Sequence, residues 1–122
     1  MSDLNVVDSS GWLEYLTGSS RSRLFSAAIQ DTQNLIVPVI SVYEVVKRIL
    51  RESADDDAKT AIQAMTQGRL VDIDLTLVLD AARYGLPLAD SLIYATAQRF
   101  EATLWTQDSD FEGLPNVRYF AR

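Results

Sequence analysis

The sequence predicts an α/β fold of three layers, α/β/α, with a central, mostly parallel sheet. Short apolar runs recur at 4–7, 35–38, 70–73 and 103–106, each the length of a buried strand. Between them lie longer stretches whose apolar residues repeat at helical spacing. Strands that alternate with helices imply a parallel sheet covered on both faces. The 122 residues, 48% of them apolar, suit one compact domain over 1–122 with a substantial core.

The elements follow in order. Leu4-Asn5-Val6-Val7 reads as a strand that ends at Asp8. Trp12, Leu13, Tyr15 and Leu16 then mark a helix that Gly18 stops, and a second helix covers 22–30. Leu35-Ile36-Val37-Pro38 is the second strand. Ser41 opens a helix through about Arg51, with Val42, Val45, Val46 and Ile49 on one face. After a polar break at 53–57, helix 58–65, strand 70–73 and helix 75–84 complete the middle of the chain. Gly85-Leu86-Pro87 separates these from a helix over 88–100, a fourth strand at 103–106 and an edge strand at 117–120.

Composition narrows the chemistry. With no cysteine and no histidine, thiolate and histidine metal sites and Ser-His-Asp triads are excluded. Catalysis would have to run on carboxylates, hydroxyls, amines or a hard cation. The polar start Met1-Ser2-Asp3 and the shortness of every apolar run point to a cytoplasmic protein without a membrane span. A net charge of −6 argues mildly against a general nucleic-acid binder. Placing Asp8, Glu44, Asp90, Asp108 and Asp110 around cations would account for five of those charges.

Each of these acids has two readings. Asp8 stands between a strand and a helix, where it serves either as N-cap or as a site residue at a strand's carboxyl end. Glu44 lies three residues after Ser41 and fits a capping box. It also heads a polar face with Lys47, Arg48 and Arg51, which is either a salt-bridged solvated face or a path for phosphates. Asp90 interrupts a segment apolar nearly all round, so its charge needs a cap or a cation. Asp108 and Asp110, with Thr106, follow a buried strand, although turns are rich in Asp. Hard cations such as Mg²⁺ or Mn²⁺ favour oxygen ligands of this kind. The acids Asp55-Asp56-Asp57 and Asp72/Asp74 lack buried flanks and read as solvated.

Four segments together resemble the PIN-domain family, particularly VapC-type toxins of toxin–antitoxin pairs. They are Val6-Val7-Asp8-Ser9-Ser10, Ser41-Val42-Tyr43-Glu44-Val45, Leu88-Ala89-Asp90-Ser91-Leu92-Ile93-Tyr94-Ala95-Thr96-Ala97 and Leu104-Trp105-Thr106-Gln107-Asp108-Ser109-Asp110-Phe111. The resemblance implies a PIN-like nuclease fold over the whole chain and an acidic quartet, Asp8, Glu44, Asp90 and Asp108, that holds Mg²⁺ or Mn²⁺. It implies an accessory acid in Asp110 and hydroxyl neighbours in Thr106 and Ser9. It further implies a homodimer, an RNA substrate and a cognate antitoxin whose tail reaches the site.

The function expected from this resemblance is metal-dependent hydrolysis of RNA phosphodiesters, leaving 5′-phosphate and 3′-hydroxyl ends. Asp8 and Asp90 are the expected primary ligands, with Glu44 and Asp108 completing the shell or orienting water. Lys47, Arg48 and Arg51 would bind RNA. Two alternatives stand beside this reading. One is a non-catalytic module whose acids grip a basic partner. The other is an aspartyl-phosphate phosphatase, against which Ser10 tells by standing where such enzymes carry a second Asp.

Overall fold

A computed structural model describes residues 3–122; Met1 and Ser2, part of the polar start noted above, lie outside the described residues. Five strands form one sheet in the order β3-β2-β1-β4-β5, and all four pairings are parallel. These strands are β1 (Asn5–Val7), β2 (Leu35–Pro38), β3 (Arg69–Val71), β4 (Thr103–Thr106) and β5 (Val117–Tyr119). The helices are α1 (Ser9–Thr17), α2 (Arg23–Gln30), α3 (Val39–Glu52), α4 (Asp55–Met65), α5 (Leu75–Ala81) and α6 (Leu88–Arg99).

Side chains alternate across a strand, and here the alternation sorts the core into layers. Val7, Leu35 and Val37 point to one face, where Trp12, Phe25, Val45, Ala61 and Met65 from α1–α4 cover them. Val6, Ile36 and Leu104 point to the other, against Ile93, Tyr94 and Ala97 of α6. Helix α5 then packs on α6 through Leu77, Ala81, Leu92 and Ala95. The three-layer α/β/α arrangement therefore follows from strands apolar on both sides. The all-round apolar character of α6 has the same origin, since Ser91–Ala97 is buried without interruption.

Several boundaries differ from the sequence expectation. Helix α3 starts at Val39, directly after β2, so Ser41 is not its cap. The Ser41 hydroxyl is instead buried without a hydrogen-bond partner among the described residues. The capping-box reading of Ser41 and Glu44 fails because the chain turns into helix at Pro38, a residue whose missing N–H costs nothing at a helix start. Helix α4 begins at Asp55, where three acids in the first turn complement the helix dipole. Asp74 is not merely solvated. It caps α5 by accepting from the Leu77 N–H at 2.8 Å and forms a two-point ion pair with Arg99 at 3.0 and 2.9 Å.

Two glycines shape the entry to the sheet's carboxyl end. Gly18 ends α1 in the left-handed region at φ 66°. Gly11 lets α1 approach its neighbours: a Cβ there would lie 2.7 Å from both Phe25 Cδ1 and Val7 Cγ1. Gly11→Ala should therefore destabilise the fold by about 1–3 kcal/mol, the usual cost of overpacking a closed core, read from urea denaturation.

Candidate active site

The sheet register brings the acids together. Strand β1 is central, and its last residue, Val7, pairs with Trp105 of β4. The Asp8 N–H continues the ladder by donating to the Trp105 carbonyl at 3.1 Å. Asp8 and the Thr106–Asp108 segment are thus placed side by side at the carboxyl end of the sheet. On the other flank, β2 leads straight into α3, which carries Glu44. The first turn of α6 supplies Asp90.

Asp8 is only 3% exposed and is surrounded by donors. Its Oδ1 accepts from the Gly11 N–H at 3.0 Å, so Asp8 does cap α1, as one of its two readings had it. The Ser10 hydroxyl lies 2.8 and 3.0 Å from the two oxygens, and the Thr106 hydroxyl donates to Oδ2 at 2.6 Å. Thr106 Oγ1 in turn accepts from the Asp108 N–H at 2.9 Å. Burial pushes the Asp8 carboxyl up to about 6, against the downward pull of the Thr106, Gly11 and Ser10 hydrogen bonds; Asp108 adds a smaller upward push.

Asp90 differs in having no such donors: it accepts no hydrogen bond from any described residue. Desolvation and then the like charges of Asp108, Glu44, Asp8 and Asp110 push it up to about 7. Carboxylate oxygens of Asp90, Asp108 and Asp110 lie within 4.8 Å of one another. Asp108 Oδ1 also accepts from the Asp110 N–H at 2.9 Å. Asp110, expected as an accessory acid, thus forms a trio with Asp90 and Asp108. Glu44 accepts from the Ser9 hydroxyl at 2.5 Å.

Four of these acids line a cleft of about 360 Å³, whose lining does not include Asp110 or Thr106. Asp8, Glu44, Asp90 and Asp108 sit together with Ser9, and Lys47, Arg48 and Arg51 line the same cleft from α3. The expected cationic stripe therefore runs into the acidic site. Arg48 also bonds Glu52 at 2.7 Å, the i,i+4 pair of the solvated-face reading; both partners are half exposed, so the pair contributes little. Sequence reasoning missed Ser10, Tyr43 and Leu13, which complete the lining. Ser10 was detectable as the second hydroxyl after Asp8, and Tyr43 as the residue one turn before Lys47.

An all-oxygen set of up to five carboxylates, two of them (Asp90 and Asp110) without a donor among the described residues, suits a hard cation of the Mg²⁺ or Mn²⁺ type. Comparison with protein families agrees with the geometry, since the model of the PIN domain matches residues 6–116. The chain belongs to the PIN domain family. No curated relative matches the sequence. Among solved structures, this PIN domain is similar to a toxin–antitoxin complex from Klebsiella pneumoniae at TM-score 0.80 and 20% identity, covering 97% of this chain and 99% of that one. It is similar to the Mycobacterium tuberculosis VapC20 toxin, described as cleaving the sarcin–ricin loop, at TM-score 0.74 and 20% identity over 93% and 98% of the two chains. VapBC2 of Rickettsia felis, bound to a promoter DNA fragment, gives 0.71 and 13% over 97% and 98%. At these identities the likeness is one of fold.

The raised carboxyls make stability pH-dependent. A carboxyl with a folded pKa above its unfolded value binds more protons in the folded state, so stability falls as pH rises between the two values. The metal-free protein should lose stability between pH ~4 and ~7 and change little above that. Asp90→Asn should flatten this profile and, at pH 8, raise the midpoint of thermal unfolding. The expected gain is on the order of 1–3 kcal/mol, the part of ~1.4 kcal/mol per unit that survives screening. An unchanged profile in differential scanning calorimetry would remove Asp90 from the repulsive cluster.

Proposed function

We propose that this PIN domain, one nuclease unit over 1–122, is a cytoplasmic metal-dependent endoribonuclease and the toxin of a VapBC-type pair. The observation that carries the reading is the convergence of Asp8, Glu44, Asp90 and Asp108 in one cleft that Lys47, Arg48 and Arg51 also line. The three aligned neighbours, all toxin or toxin–antitoxin structures, support the toxin assignment.

In this reading Asp8 and Asp90 hold Mg²⁺ or Mn²⁺, with Asp108, Glu44 and Asp110 completing the shell. The bound ion supplies Lewis-acid activation of water and charge stabilisation at the phosphodiester. The protein's own groups do the rest. Thr106 and Ser10 fix the Asp8 carboxylate, and Ser9 fixes Glu44, which is left to orient the attacking water. Lys47, Arg48 and Arg51 hold the RNA backbone along α3 by neutralising phosphates. The phosphatase alternative fits poorly, because Ser10 stands where such enzymes carry a second Asp.

Two surfaces support partners. An apolar groove of about 510 Å³ lies beside the cleft, with Val42, Val46, Leu50 and Ile62 in its walls. A cognate antitoxin would seat apolar side chains there and extend basic ones towards the acids. The patch of Leu75, Val78, Leu79 and Leu88, up to 78% exposed, supports a homodimer. The protein should sediment as a dimer at micromolar concentration and Leu79→Arg as a monomer; a monomeric wild type would refute the dimer.

The nuclease reading is tested with purified protein on single-stranded RNA. Cleavage should need Mg²⁺ or Mn²⁺, stop with chelator and leave 5′-phosphate ends. Asp8→Asn and Asp90→Asn should each lower the rate by at least ~100-fold, the upper range for damage around a metal site. Arg51→Ala should weaken RNA binding and reduce the salt slope by about one phosphate contact. Binding without cleavage under any divalent ion would leave the non-catalytic module standing.

A further inference from the structure

The segment that carries Thr106 and Asp108 is held from behind by a network outside the acidic cleft. Along extended backbone, residues i and i+2 share a side and i+1 faces away. Thr106 and Asp108 accordingly face Asp8, while the side chain of Gln107 points the other way and is only 4% exposed. Both ends of that buried amide are satisfied. Its Oε1 accepts from Arg21 Nε at 2.6 Å, and its Nε2 donates to Glu14 Oε2 at 2.8 Å. Gln107 also holds the Glu14 carboxyl below the usual range, chiefly through this hydrogen bond.

Arg21 closes the network. Its Nη2 donates to the carbonyls of Phe120 and Ala121 at 3.3 and 3.2 Å. The Phe120 N–H donates back to the Thr106 carbonyl at 2.9 Å. The Phe120 ring is wedged edge-on against Phe25, with centroids 5.5 Å apart, and lies tilted against Trp105 at 6.1 Å. A ring of contacts thus runs from Thr106 through Gln107 and Arg21 to Phe120 and back to Thr106. It ties the end of β4 to the α1–α2 connection and to the residues after β5.

We propose that Arg21 and Gln107 are positioning residues that hold Thr106 and Asp108 in register with Asp8, so that the cluster is preset for a divalent cation. The proposal rests on the reading of the acids as a metal site. The physical case is that Asp108 must be kept near Asp8, Asp90 and Asp110, whose charges repel it. Its carboxylate and carbonyl accept from the Asp110 and Phe111 N–H groups of its own turn, and its link towards Asp8 is the hydrogen bond from its N–H to Thr106 Oγ1. The Gln107 clamp opposes that repulsion from the rear without adding a positive charge to the cleft.

The test uses Gln107→Met, which removes both amide contacts at similar size, and Arg21→Gln, at a partly exposed position. Met65→Ala, at the buried last residue of α4, serves as a stability control. Two readouts are taken on folded protein below its melting range: Mn²⁺ affinity by calorimetry and amide hydrogen exchange at Asp108 and Asp110. Both variants should bind Mn²⁺ about 10–100-fold more weakly, the scale of damage from outer-shell changes, and exchange those two amides faster. Met65→Ala should alter neither readout. Affinity within twofold of wild type, with or without faster exchange, would overturn the proposal. Should the wild type itself bind no Mn²⁺, the metal reading falls, and the exchange rates alone then decide whether the clamp holds the segment.

Discussion

Asp8 places a carboxylate at the end of the central strand, 3% exposed, and the surrounding site is organised by the need to accommodate that charge. An unpaired ion in such a place is costly. Its cost is met in part by the Gly11 N–H and the Ser10 and Thr106 hydroxyls, which occupy both oxygens. Those donors are neutral, and burial still outweighs them in its effect on the carboxyl. Other acids then crowd in rather than cations: Lys47, Arg48 and Arg51 share the cleft, yet none is ion-paired with Asp8 or Asp90 among the described residues. In the proposed reading, a divalent ion would complete this electrostatically unfinished cluster.

The convergence of residues 8, 44, 90 and 108 is a property of topology. In a parallel sheet every carboxyl end lies on the same side, and the turns that follow the strands meet there. Strand β1 sits between β2 and β4. Asp8 after β1 and Asp108 after β4 are therefore neighbours, although a hundred residues separate them. Glu44 arrives because β2 passes into α3 without a loop, and its distance from the strand is set by the helical turns between. Asp90 requires α6 to begin near that end and to bury most of its surface against the sheet. That requirement explains why a charge appears in an otherwise apolar helix.

The fold and the acids were legible because both leave periodic or compositional marks. Strand β4 and helix α2 fall where their apolar spacing put them, and the four candidate acids share one cleft. What stayed illegible depends on long-range contact. Ser41 and Glu44 carry the spacing of a capping box, but β2 runs directly into α3 and leaves the box inside the helix. Asp74 gives no local sign that Arg99, on another helix, would reach it. Gln107 reads as an unremarkable turn residue until the sheet register places Arg21 beside it across 86 positions of sequence.

The acidity of the chain and its proposed action on RNA are compatible once charge is resolved in space. The net −6 includes the acids of the cleft, and a cation held there would offset repulsion where, in the proposed reading, a phosphodiester comes closest. The three cations of α3 lie on the same wall, within reach of a backbone whose scissile phosphate is over the acids. Away from the cleft, Asp55, Asp56 and Asp57 start α4, and Asp74 is tied to Arg99. Those charges serve helix ends and solubility. Attraction of RNA would then be local and weak without the ion, so metal occupancy and substrate binding should be coupled through the same crowded carboxylates. The proposed clamp on Gln107 fits that design, because a site assembled from like charges needs rigid support outside the cleft, where added cations would not compete with the metal.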